Sequence, residues 1–255
     1  PGRFVELDDR GAIVVRDVAG PPGAPTLLLL HGWTATADLN WFTCYRPLSE
    51  HYRVVAFDHR GHGTGVRSKS PFRLEDCADD AADVATALGI DRFVPVGYSM
   101  GGPVAQLLWK RHPQRVDGLV LCATAARFST RREERIGFLG LSGLATLARY
   151  APDQAREWMT EQFYLQRKTR EWEPWAIQES SSHERRMVLE AGGAIGSFSS
   201  MDWIGEVDVP TSMMVTMLDP VVRPLRQIEL YQLIGGADVY RVDGEHDAVV
   251  ANSKR

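Results

Sequence analysis

Short apolar runs alternate with segments of helical period along the first half of the chain. Residues 26–30 read Thr-Leu-Leu-Leu-Leu, apolar at successive positions. Neighbouring side chains of a strand point to opposite faces, so an unbroken apolar run predicts a strand buried on both sides. Similar runs predict strands over 53–57, 92–96 and 118–122, and two more near the N-terminus over 3–7 and 12–17. Between them, 74–88 repeats Ala and Val at helical spacing. A second helix is predicted over 103–111, closed by His112-Pro113. Strands alternating with helices imply βαβ units. The predicted fold class is therefore α/β, a mostly parallel central sheet flanked by helices.

The rhythm breaks at about Ala126, and no buried-strand pattern follows until about Gly205. This stretch is helical in character, with 11 Lys/Arg and 11 Asp/Glu between Arg127 and Gly205. It also holds ten of the 23 aromatic residues, among them Trp158, Trp172, Trp175 and Trp203. The βα rhythm then returns, with strands predicted over 212–218 and 238–242 and a helix over 224–233. The predicted organisation is a core domain of residues 1–126 and 206–255, interrupted by a helical cap over 127–205.

Bulk properties remove several function classes. The chain has 255 residues, 44% hydrophobic and 24% charged, which suits a soluble globular domain with a core of its own. A formal net charge of −4 gives no basic excess for nucleic acid and no polybasic stretch for an anionic membrane. Apolar runs such as Leu27–Leu30 fall far below the ~20 residues of a membrane span. Cys44, Cys77 and Cys122 are odd in number and lack C-x-x-C spacing, which argues against a disulfide framework or a zinc site. Reduced thiols fit a cytoplasmic location, while Pro1 at the start leaves a processed N-terminus open.

The strongest chemical signal is Gly97-Tyr98-Ser99-Met100-Gly101, where a predicted strand meets a predicted helix. A nucleophile elbow needs that setting: small residues two before and two after the serine let strand and helix approach, and the turn lifts the hydroxyl out of the sheet. A serine hydroxyl is a poor nucleophile at neutral pH and needs a base. His246 follows the final strand and can face the carboxyl edge of the sheet, whereas His183 lies in the charged insertion. Asp219, just after the 212–218 strand, is the candidate acid. Asp208 precedes that strand and would emerge at the wrong edge, and Asp243 is too close to His246 in sequence to reach behind its ring. The two oxyanion donors are expected from Met100 N–H and, in the His31-Gly32-Trp33 loop, Trp33 N–H, with His31 holding that loop. Gly61-His-Gly-Thr-Gly65 lacks dinucleotide spacing and reads as a structural turn after Asp58.

Taken together, His31-Gly-Trp33, Asp58-His-Arg-Gly-His-Gly63, Gly97-Tyr-Ser-Met-Gly-Gly102, the 216–224 segment Thr-Met-Leu-Asp-Pro-Val-Val-Arg-Pro and the late His246 resemble the α/β-hydrolase fold superfamily, in its serine-nucleophile esterase/lipase-like branch. The resemblance spans nearly the whole chain, and 127–205 falls where that family carries its cap. Glu245 departs from the pattern, since glycine often precedes the histidine there. The resemblance implies a serine hydrolase cleaving a carboxylic ester, or a related acyl or lactone substrate, through an acyl-enzyme.

Alternatives on the same triad are a C–C bond hydrolase, an acyltransferase and a cofactor-free haloperoxidase. A small-ligand receptor or carrier retaining the triad is the non-enzyme alternative. No metal or organic cofactor is implied. The expected partner is a small apolar ester-like substrate, with Trp158, Trp172 and Trp175 as candidate substrate-binding residues. No nucleic acid and no membrane span is expected, and a homodimer is left open.

Overall fold

The computed structural model describes residues 2–8, 10–129, 140 and 182–248. Among them run eight strands: β1 (Arg3–Leu7), β2 (Gly11–Val18), β3 (Thr26–Leu30), β4 (Arg53–Phe57), β5 (Val94–Tyr98), β6 (Leu119–Cys122), β7 (Thr211–Thr216) and β8 (Asp238–Val242). The helices are α1 (Ala37–Trp41), α2 (Tyr45–Ser49), α3 (Leu74–Ala87), α4 (Gly101–Arg111), α5 (Arg185–Ser197) and α6 (Pro224–Leu233). One sheet holds all eight strands in the order β1-β2-β4-β3-β5-β6-β7-β8. The β1–β2 and β2–β4 pairs are antiparallel and every other pair is parallel.

Pleating explains the apolar runs. Leu28 and Leu30 of β3 enter one core, with α3 and α4 residues such as Ala81, Val104 and Leu108. Leu27 and Leu29 enter a second core on the opposite face, with Ala37 and Trp41 of α1. Both faces of the strand are thus covered, as a parallel sheet requires. The chain leaves β3 for β4 on one side and returns to β5 on the other, so the β3/β5 boundary is a switch point. The carboxyl ends of strands flanking such a point form a natural crevice.

Several boundaries differ from the sequence-based expectation. β5 runs two residues further, because Gly97 and Tyr98 still pair with Leu121 and Cys122 of β6. α4 starts at Gly101 rather than at 103: Val104 N–H already donates to Met100 O, and Pro103 sits in the first turn, where no amide proton is needed. β7 stops at Thr216, not 218, since Met217 and Leu218 turn away and bond to Val242 O and Gly244 O. α1 and α2 had no counterpart in the sequence pattern, being only five residues each. Most of the expected cap lies outside the described residues, including Trp158, Trp172 and Trp175. Trp203 stacks on Trp109 at 6.4 Å, near the end of α4 remote from Ser99.

A buried ion cluster braces α3 against the 58–65 loop. Arg60 donates to Asp80 through two nitrogens at 2.8 Å and to Asp76 at 2.8 Å. Arg10 reaches the same Asp80 from the β1–β2 turn. Burial alone would lower the Arg60 pKa, but its bonds to Asp80 and Asp76 carry it above its ordinary value.

Candidate active site

Ser99 sits immediately after β5 with φ of +53°. That left-handed conformation is costly for a residue with a side chain and persists only where neighbours over-determine it. Here Ser99 N–H donates to Cys122 O at 3.0 Å. Ser99 O accepts from Gly102 N–H at 2.9 Å and from the Thr124 hydroxyl at 2.8 Å. The flanking glycines are sterically required. A Cβ on Gly97 would lie 2.3 Å from Gly101 O, and one on Gly101 would lie 2.1 Å from Leu30 O.

Asp219 and His246 both arrive at this point. The Ser99 hydroxyl lies 2.9 Å from His246 Nε2, and His246 Nδ1 lies 2.7 Å from Asp219 Oδ2. Ionised Asp219 can only accept, so Nδ1 carries the ring proton and Nε2 is left as an acceptor for the hydroxyl. Burial of Asp219, 3% exposed, pushes its carboxyl up. The hydrogen bonds and charge of His246, with the Val222 N–H and Thr216 hydroxyl, outweigh it and hold the pKa below the ordinary value. Tyr98 donates its hydroxyl to His246 O at 2.9 Å, and its ring stands 5.2 Å from the imidazole. The three residues named from sequence therefore form one continuous hydrogen-bonded chain. Asp243 and Asp208 take no part in it: Asp243 is exposed, and Asp208 accepts from the Trp109 indole N–H at 3.1 Å.

The His31–Trp33 loop borders the serine. A Cβ on Gly32 would come within 3.3 Å of Ser99 Cβ and 3.0 Å of the Tyr98 ring. Gly32 N–H donates to Asn40 Oδ1 at 2.8 Å, and the Trp33 indole N–H donates to Val188 O of α5 at 2.8 Å. His31 holds the loop as expected. Its Nε2 accepts His59 N–H at 2.8 Å, so Nδ1 carries the proton and donates to Gly32 O at 2.7 Å. Met100 directly follows Ser99 and is the N-cap residue of α4.

The 58–65 segment is a structural turn. Asp58 accepts from Ala37 N–H at 2.7 Å and Thr64 N–H at 2.8 Å, and Gly61 and Gly63 adopt φ of +75° and +43°. Sequence reasoning missed what lies behind it. His31, His59, His62 and His183 form a buried group, with ring separations of 4.4 Å (31–59), 5.3 Å (31–62) and 5.2 Å (62–183). His183 Nδ1 accepts Gly63 N–H at 2.9 Å, which ties the chain entering α5 to this loop. Burial drives the pKa of His59 and His62 well below the ordinary imidazole value. Among the described residues no cluster of His, Cys, Asp or Glu is placed to hold a metal ion. Gln227 and Thr216, packed against Asp219, were missed as well. An isolated polar residue in an otherwise amphipathic helix carries no signal of its own.

Comparison with known proteins agrees with this architecture. Residues 25–252 match the family model of the alpha/beta hydrolase fold. The chain belongs to that family, and the hydrolases named among its relatives mark it as a hydrolase. It is 28% identical over 216 residues to a protein of Agrobacterium fabrum that carries the name carbamate hydrolase RutD, covering 81% of this chain and 80% of the relative. A bifunctional esterase/perhydrolase of Acinetobacter calcoaceticus is 37% identical over 95 residues, covering 37% of this chain and 34% of that one. In fold, the chain superimposes on a thermophilic esterase from Thermogutta terrifontis with a TM-score of 0.77 and 23% identity, covering 99% of this chain and 93% of that one. No helix among the described residues is long and apolar enough to cross a membrane.

Proposed function

We propose that the protein is a serine hydrolase that cleaves a carboxylic ester, or a closely related acyl substrate, through an acyl-enzyme on Ser99. The observation that carries this reading is the unbroken relay Asp219–His246–Ser99, at 2.7 and 2.9 Å, at a strained elbow. Ser99 Oγ attacks the carbonyl carbon while His246 Nε2 takes its proton. Asp219 keeps the imidazole in the needed tautomer and stabilises the imidazolium. The Met100 and Trp33 N–H groups hold the oxyanion of the tetrahedral intermediate. His246 then protonates the departing alcohol, and water repeats the sequence to release the acid.

In this reading residues 127–205 form the cap, and Trp158, Trp172 and Trp175, which lie outside the described residues, give the enzyme an apolar acyl preference. The relative named for carbamate hydrolysis favours a second reading of the same chemistry, acyl transfer from a carbamate, since it matches four-fifths of the chain. The test is turnover of p-nitrophenyl esters of increasing chain length beside matched aryl carbamates. Ser99→Ala should cost several orders of magnitude in kcat, with an unchanged circular dichroism spectrum. Substantial turnover by purified Ser99→Ala protein would overturn the assignment.

A further inference from the structure

We propose that Thr216 and Gln227 form a positioning clamp on Asp219, which fixes the oxygen facing His246 and sets how strongly that oxygen holds the imidazolium. The proposal rests on the triad reading above.

The two carboxylate oxygens of Asp219 are served by different partners. Oδ1 accepts two backbone N–H groups, from Val221 and Val222, each at 2.8 Å. Oδ2 accepts from His246 at 2.7 Å, from the Thr216 hydroxyl at 2.8 Å and from Gln227 Nε2 at 3.2 Å. Thr216 and Gln227 are both buried, at 0% and 1% exposure, so water does not substitute for either donor. The orientation of the Gln227 amide follows from its neighbours. Oε1 accepts Thr216 N–H at 3.0 Å. Nε2 faces acceptors, Val222 O at 2.6 Å and Thr216 Oγ1 at 2.9 Å, besides Asp219. Flipping it would set N–H against N–H and oxygen against oxygen. One side chain on α6 therefore ties the end of β7, the acid turn and the carboxylate together.

The clamp has a chemical consequence beyond rigidity. Each neutral donor on Oδ2 draws charge from the oxygen that meets His246. Removing one leaves a more basic carboxylate that binds the imidazolium more tightly, and it frees the carboxylate to rotate away from Nδ1. The first effect moves the acid limb of kcat/KM to higher pH, and the second lowers kcat. Neither residue is exposed to a substrate, so KM stays put. A role in folding alone would lower the melting temperature and leave the pH profile in place.

The experiment compares Thr216→Val, Thr216→Ser and Gln227→Met in the full chain. It reads the pH dependence of p-nitrophenyl butyrate hydrolysis and the low-field proton NMR signal of the His246 Nδ1–H. Thr216→Val should lower kcat about tenfold, the loss expected of one hydrogen bond to a charged group. Its acid limb should rise by about half a pH unit, and the low-field signal should move. Thr216→Ser restores the hydroxyl and all three values, and Gln227→Met acts in the same direction as Thr216→Val. If Gln227→Met does not fold, Thr216→Val decides alone. Variants that melt earlier yet keep the wild-type acid limb and NMR signal would overturn the clamp. If wild-type and Ser99→Ala protein turn over esters equally, the functional reading falls, while the NMR comparison still decides the clamp.

Discussion

Mild acid should destabilise this protein through its buried histidines, and His183 offers the cleanest way to measure it. The ring is 6% exposed and accepts Gly63 N–H at 2.9 Å. Burial, with His31 and Arg67 nearby, pushes its pKa from 6.5 down to about 4, against the opposing pull of the Thr34 carbonyl and Asp58. The unfolded chain therefore takes up a proton that the folded chain refuses between these values. Stabilisation complete above pH 6.5 is lost as the pH falls through that window. One proton corresponds to about 1.4 kcal/mol per pH unit, or about 3 kcal/mol over the window. His31, His59 and His62, all depressed first by burial, add to the loss with the same sign. In His183→Asn the amide oxygen takes the place of Nδ1, so the bond from Gly63 survives but the titration does not. Urea unfolding in half-unit steps from about pH 7.5 to 4.5 should show, below about pH 6.5, a wild-type slope steeper than the variant's by up to about 1.4 kcal/mol per pH unit. Parallel curves would refute the reasoning.

Two further outcomes follow from the site and the core. Asp219→Asn should lower kcat by about 10⁴ by leaving His246 in the wrong tautomer, while exposed Asp243→Asn changes it little; steady-state kinetics of the two variants checks the assignment of the acid. Arg60→Met should cost about 3 kcal/mol by stripping buried Asp80 of two of its hydrogen bonds, with Arg10 remaining as a partial partner. Calorimetry should then show a melting temperature lower by about 6–12 °C.

Much of the site was legible because each of its three members sits at a strand end. The apolar runs located those ends, and in a parallel sheet all of them open on one edge. Ser99 after β5, Asp219 beyond β7 and His246 after β8 were thus placed together by chain order and period, although 147 residues separate serine from histidine. The Gly97 and Gly101 pattern also announced the elbow, because the clash between a Cβ on Gly97 and Gly101 O is local, whereas the contact of Gly101 with Leu30 O of β3 is tertiary. The strand order, the run of β5 to Tyr98 and the start of α4 at Gly101 were decided by pairing with β6 and by the first helical bond. The remaining support for the site left no trace in the sequence. His183 finds Gly63 across 120 residues, the Trp33 indole finds Val188 across 155, and Gln227 reaches Asp219 from the next helix. Each is a single polar group meeting a distant partner, with no period, cap or turn to declare it. Only the packing of the chain into one sheet with covered faces brings such groups together, and burial then makes each bond costly to lose.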